Sequence, residues 1–224
     1  MPAAKQQRAS RTSRAAAPVA YHHGDLRNAL VREGRALLEE RGAAELSLRE
    51  TARRAGVSEA APSRHFEGKD GLLAAIAAEG FRELAAQREV IAAAPTSTLD
   101  KARDMMVSYV RYAQANKGMF NLMVGPRIFD SWRFDEFMQA STSSFDIFSD
   151  TVVQLARESG WPASQLELVA HGAWALEHGL ATLILADRAP RQDRELDLDE
   201  MIDFSIDLLL SGVTAGPKAL KKVR

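Results

Sequence analysis

The chain has 224 residues, 46% of them hydrophobic and 26% charged, with a formal net charge of −1. That is the composition of an ordinary globular protein, long enough for one or two domains with a sizeable core. It contains no cysteine, which excludes disulfides, thiolate zinc sites and cysteine nucleophiles. No run approaches the ~18 consecutive apolar residues of a membrane span, and the basic N-terminus lacks the apolar core of a secretory leader. A cytoplasmic location is therefore expected.

Charge is unevenly placed. Residues 1–70 hold 13 Lys/Arg against 9 Asp/Glu, whereas the remainder holds 16 against 21. A basic front end and an acidic remainder suit a nucleic-acid-binding module joined to a domain with another task. Residues 1–20 carry Lys5, Arg8, Arg11 and Arg14 without an acid and without apolar periodicity. They read as a basic tail, either a solvated leader or an arm that follows DNA phosphates.

The first helix is expected from Tyr21 to about Arg41, with Leu26, Leu30, Leu37 and Leu38 as its apolar stripe and Gly42 as its end. His22 and His23 point about 100° apart on a helix and do not share a metal. A second helix follows the hydroxyl cap Ser47. Leu48, Ala52 and Ala55 fall on its inner face, and Arg49, Arg53 and Arg54 lie away from it. Gly56 supplies a turn with positive φ, Val57 fills the corner, and Ser58 is placed to cap a third helix, Glu59–His65. Helix, glycine turn, helix is the geometry that sets its second member into the DNA major groove. A fourth helix begins at Gly68-Lys69-Asp70 and runs to about Ala93, where Pro95 stops it. Lys69 lies in its first turn, an anion site that suits a phosphate. Phe66 is expected in the core, fixing the angle between helices three and four.

Beyond Pro95, helices are expected at about 99–116, 119–124, 132–160, 164–187 and 197–212, punctuated by Gly118, Gly125-Pro126, Gly160-Trp161-Pro162 and Ala189-Pro190. With no alternating strand pattern, the fold class is all-α. This half concentrates large, soft side chains. Met105, Tyr109 and Tyr112 share one helical face, and Phe134, Phe137, Met138, Phe145 and Phe148 form a second stripe. Such residues build ordinary cores, and they also line adaptable pockets. His171, Trp174 and His178 share a face with Glu167 one turn earlier. Seven residues of helix span about 10 Å, too far for one zinc ion, so hydrogen-bonded core or interface histidine is the expected role.

The segment LSLRETARRAGVSEAAPSRHFEGKDGLL, residues 46–73, resembles the DNA-binding region of the TetR family of bacterial transcription regulators. It matches at Leu46, Arg49, Ala52, Ala55, Gly56, Val57, Ser58, His65, Phe66, Lys69, Leu72 and Leu73. Trp174, His178 and Gly179, with the Tyr-His-His-Gly-Asp-Leu opening, resemble the subset whose C-terminal domain carries a Trp-x-x-x-His-Gly signature. The family usually has an aromatic residue, most often tyrosine, two positions before the His-Phe pair. Ser63 stands there in this chain, with a hydroxyl that still donates to phosphate but over a shorter reach.

The resemblance implies an N-terminal three-helix DNA-binding domain over 21–80, with helix four linking to about 93. A helical ligand-binding and dimerisation domain would follow over 96–213, then a basic tail over 214–224. It implies operator contacts from Ser47, Arg49, Ser58, Glu59, Ala60, Ser63, Arg64, His65 and Lys69. Effector contacts would come from Met105, Tyr109, Tyr112, Phe120, Met123, Phe137, Met138, Phe145, Trp174 and His178. The partners implied are double-stranded operator DNA, a second copy joined through helices 164–187 and 197–212, and a small-molecule effector. A repressor released by its effector is the function implied; a ligand-independent or architectural DNA binder is the alternative. No nucleophile–base signature, phosphate-cradling glycine loop or metal cluster points to an enzyme or a cofactor.

Overall fold

A computed structural model describes residues 23–125, 130–186 and 197–218. The basic tail 1–20, the Tyr21-His22 start, Pro126, Phe129, Ala189-Pro190 and residues 219–224 lie outside the described residues. Eight α-helices account for most of the rest: α1 His23–Glu45, α2 Leu48–Arg54, α3 Gly68–Ala93, α4 Thr98–Ala115, α5 Lys117–Val124, α6 Asp135–Glu158, α7 Leu166–Leu185 and α8 Leu198–Thr214. No strand occurs among the described residues. The fold is all-α.

Local chemistry explains the boundaries. Ser47 Oγ accepts from the Glu50 N–H at 3.2 Å, Ser97 Oγ from Asp100 N–H at 3.1 Å, and Asp197 Oδ1 from Asp199 N–H at 2.9 Å. Each satisfies a backbone donor that the first helical turn leaves open. Gly42, at φ 79°, interrupts α1 as expected, but helical hydrogen bonding resumes beyond it to Glu45. Gly56 takes φ 69° after α2, a conformation that costs other residues about 1 kcal/mol or more.

The expected third helix is the clear departure. Instead of a helix over Glu59–His65, the chain makes turns and a short 3₁₀ segment, Pro62–Arg64. Ala61 N–H bonds to the Ser58 carbonyl, and Phe66 N–H bonds to the Pro62 carbonyl. Ser58 thus contributes its backbone oxygen to this turn, and Ala61 takes the cap position. In an α-helix begun at Glu59, Pro62 would have to donate an N–H to the Ser58 carbonyl, and it has none; at the first position of the 3₁₀ segment that N–H is not needed.

Two hydrophobic clusters form the interior. The first joins Leu30, Leu37 and Leu46 of the N-terminal segment to Phe66, to Leu72, Leu73 and Ile76 of α3, and on to Tyr112, Met119 and Phe120. The second packs Met105, Met106 and Val110 of α4 against Phe148, Val152, Ile202 and Ile206. α3 is buried chiefly between Gly71 and Phe81 and packs mainly on α6. Gly80 permits α5 to approach α3 closely: a methyl group there would lie 2.5 Å from Met123 Sδ and 2.8 Å from Met119 Sδ. The core therefore runs without a break from the N-terminal helices into the C-terminal ones.

Candidate nucleic-acid interface and ligand cavity

At the N-terminal end, Ser47, Arg49, Ser58, Glu59, Ala60, Ser63 and Arg64 are all exposed, whereas His65 and Lys69 are half-buried. Five of these side chains are already engaged, Ser47 among them as the cap of α2. Arg49 Nε donates to Glu59 Oε1 at 2.7 Å, joining α2 to the segment after the glycine turn. Ser63 Oγ donates to the Ala60 carbonyl at 2.8 Å. Lys69 Nζ donates to the Ala44 carbonyl at 2.9 Å, which ties the start of α3 to the end of α1. Phe66 is buried, with the Arg27 guanidinium 5.4 Å from its ring centroid. It fixes the 3₁₀ segment on the helices beneath, as expected of a core residue.

The C-terminal half contains a cavity of about 330 Å³, lined by Phe81, Leu84 and Arg88 of α3, Tyr109 of α4, Val124, Phe145 with its α6 neighbours Ser141, Thr142 and Ser144, and His171 and Trp174 of α7. That volume is at the lower end of the range for small-molecule sites. A neighbouring space of about 320 Å³ is lined by Phe120, Asn121, Val124, His178, Thr182 and Leu185. His178 stands between them. Its ring stacks on Trp174 at 5.6 Å and on Phe120 at 6.1 Å, and its Nδ1 lies 3.0 Å from the Tyr109 hydroxyl. Burial lowers the His178 pKa and keeps the ring neutral. His171 Nδ1 bonds the Glu167 carbonyl at 2.8 Å. No group of three metal-ligating side chains occurs among the described residues.

Two segments of the chain match family descriptions. Residues 30–76 match bacterial regulatory proteins of the tetR family, and residues 102–209 match the tetracyclin repressor-like C-terminal domain. The chain belongs to the TetR family of bacterial transcription regulators. It is also 31% identical to a structure of a protein with unknown function from Rhodococcus sp. RHA1, covering 86% of this chain and 97% of that one with a TM-score of 0.73. A TetR regulator from Streptomyces coelicolor shares the fold at 18% identity, 84% and 97% coverage and a TM-score of 0.65. So does a TetR family regulator from Thermus thermophilus, at 18% identity, 81% and 97% coverage and a TM-score of 0.58. No curated protein matches the chain.

As a TetR-family chain, the protein is a DNA-binding transcription regulator built from an N-terminal helix-turn-helix and a helical C-terminal domain. The residues expected to touch an effector separate into groups. Tyr109, Phe145 and Trp174 line the larger cavity, and Phe120 and His178 line the smaller one. Met105 belongs to the second core cluster, while Tyr112, Met123 and Phe137 belong to the first. Met138 faces a surface groove on α6.

Arg88 and Glu177 escaped the sequence reading. Their side chains are 3% and 0% exposed and pair at 2.8 Å, Arg88 Nη2 donating to Glu177 Oε1. Arg88 Nη1 donates to the Ser144 carbonyl at 2.8 Å, and its Cζ sits 4.9 Å from the Phe148 ring centroid. Desolvation pushes the Glu177 carboxyl up to about 8, against the pull of Arg88. In sequence, both residues interrupt apolar stripes at helical spacing. A charge at an inward position of each of two long helices was the available signal.

Proposed function

We propose that this TetR-family regulator is a homodimeric repressor whose effector enters the α3–α4–α6–α7 cavity and releases it from an operator. The single observation that carries the reading is the path of α3. This one 26-residue helix spans roughly 39 Å. Its first turn holds Lys69, a few residues after the exposed Ser63 and Arg64, and its later turns place Leu84 and Arg88 in the cavity wall. A ligand that prefers one position of α3 shifts the population of head orientations, and half-site spacing on DNA makes that shift felt as affinity. Residues 21–80 serve as the DNA-binding head, α3 as the link, and 96–213 as the effector and pairing domain.

Pairing is supported by the outer faces of α7 and α8. Leu168, Leu183, Phe204 and Leu208 are exposed there at 48–69%, and Leu168 and Leu208 border a broad apolar groove with Trp161, Val169 and Leu209. A second copy covers such a face by twofold symmetry. Operator contacts are assigned to Ser47, Arg49, Ser58, Glu59, Ala60, Ser63, Arg64, His65 and Lys69.

The test combines sedimentation with gel shift and footprinting on DNA upstream of the protein's own gene. A dimer protecting a palindrome, with strong salt dependence, is expected. A monomer at micromolar concentration sinks the pairing assignment, and binding without a preferred site favours an architectural role.

A further inference from the structure

The folded head carries no excess of positive charge. Of the 13 Lys/Arg in residues 1–70, four are Lys5, Arg8, Arg11 and Arg14, so residues 21–70 hold nine cations against nine acids. Most cations around the glycine turn are also answered by the head's own carboxylates. Arg49 pairs with Glu59 at 2.7 Å, Arg53 with Glu50 at 2.7 Å, and Arg54 with Glu40. Between Ser47 and Lys69, Arg64 and Lys69 are the two cations without an acid partner among the described residues.

Duplex DNA attracts a protein chiefly through phosphates that Lys and Arg neutralise, with release of the counterions. An arginine that leaves its carboxylate for a phosphate turns that carboxylate toward the same polyanion, so little net neutralisation results. Two uncompensated cations on each head leave most of this attraction to be supplied from elsewhere. The chain's first acid is Asp25, and all four cations before it are therefore free of an acid on their own segment.

The point of attachment suits them. α1 starts at His23, and Arg27, one turn further on, holds its guanidinium 5.4 Å from the Phe66 ring centroid. Phe66 stands two residues after Arg64, and its N–H bonds the Pro62 carbonyl at 2.9 Å, closing the 3₁₀ segment. Residues 1–22 thus join the fold beside the exposed Ser63 and Arg64. From Arg14 to His23 the backbone spans at most about 30 Å, roughly one turn of duplex. Cations three residues apart along it can each meet a separate phosphate.

We propose that residues 1–20 are a phosphate-binding arm that supplies most of the protein's electrostatic affinity for duplex DNA, while the head sets register. The inference rests on the operator-binding reading above and assigns the source of its affinity.

Gel-shift salt series with the full-length protein and its K5Q/R8Q/R11Q/R14Q variant test this. The probes are the fragment upstream of the protein's own gene and a random-sequence duplex. Circular dichroism and thermal unfolding, unchanged in the variant, exclude a loss of fold. Four lost phosphate contacts should flatten the slope of log K against log salt by about three to four units. At about 0.1 M salt, affinity should fall roughly a thousandfold, on both duplexes alike. An R8K/R11K/R14K variant, which keeps the charge, should keep the native slope. A slope change below about two units overturns the arm, as does a loss confined to the upstream fragment. Tighter binding by the glutamine variant also overturns it, because the segment would then be covering the protein's own acidic surface. If the native protein binds neither duplex, the operator reading falls and takes the arm with it. If it binds the upstream fragment with a slope that the substitutions leave unmoved, that reading stands and the arm alone falls.

Discussion

Arg49 Nε and Glu59 Oε1 meet at 2.7 Å across the glycine turn, so an exposed cation proposed to meet the operator carries its own counter-charge. A phosphate must compete with that carboxylate, in a solvent that screens both. Glu59→Gln removes the competitor and frees the guanidinium. Its expected effect is tighter binding to all duplexes alike, with the salt dependence of log K steeper by about one unit. A gel-shift salt series on operator and random DNA measures both. Tighter binding confined to certain sequences would instead place Glu59 against a base edge.

Ser63 makes the complementary case. Its hydroxyl is exposed and donates to the Ala60 carbonyl at 2.8 Å, folded back onto its own turn. Ser63→Tyr extends a phenol beyond that turn toward the phosphates. Binding should tighten by about 1 kcal/mol, equally across sequences. A change in which sequences bind would show that position 63 reads bases.

Helix boundaries were legible wherever a local signal set them. Ser47, Gly56 and the Pro95 stop acted through backbone chemistry that neighbours fix, so α2 and the 26 residues of α3 fell where expected. The segment after Gly56 was not legible as it stands. Gly56 and Ser58 as a cap argued for a helix there, but Pro62 has no N–H to continue it, and the chain closes into turns and a 3₁₀ segment instead. Tyr109, Phe145 and Trp174 reached the cavity wall, but Met105 did not. An apolar stripe states which helical face is inward and leaves open which inward residues meet a void. Arg88 and Glu177 are 89 positions apart, and no single-chain pattern announces a pair at that distance.

Stability should carry the signature of Glu177 in a definite pH window. Its folded-state pKa is raised, from 4.5 to about 8, chiefly by burial. A raised pKa means the folded state holds a proton that the unfolded state has released. The contribution is therefore fully present below pH 4.5 and is lost as pH rises to about 8, on the order of a few kcal/mol in all. Glu50 acts oppositely. Hydrogen bonds from Arg53 hold its half-buried carboxyl down at about 2, so its small contribution is lost as pH falls below the usual carboxylate range. Urea denaturation between pH 4.5 and 8.5 should show declining stability in the native protein and a flatter profile in Glu177→Gln. Parallel profiles would remove Glu177 from the account.

Glu39 offers the means of separating the two ends of the molecule. It lies on α1, yet its carboxylate accepts from the N–H groups of Gly118 at 3.3 Å and Met119 at 2.9 Å, at the start of α5. Negative charge at a helix N-terminus satisfies open donors and complements the helix dipole. The same short helix carries Phe120 and ends at Val124, which lines both cavities. α5 thus touches the DNA-binding head at one end and the ligand space at the other. Glu39→Ala should cost about 1 kcal/mol in denaturation, the typical value of a lost cap. The larger effect should be on coupling, because ligand binding would move α5 without pulling α1. A cavity ligand should still bind Glu39→Ala with nearly native affinity, while the ratio of operator affinities with and without it shrinks toward one. Unchanged coupling would mean that α3 alone carries the signal, and Glu39 would then be a cap with only a structural role.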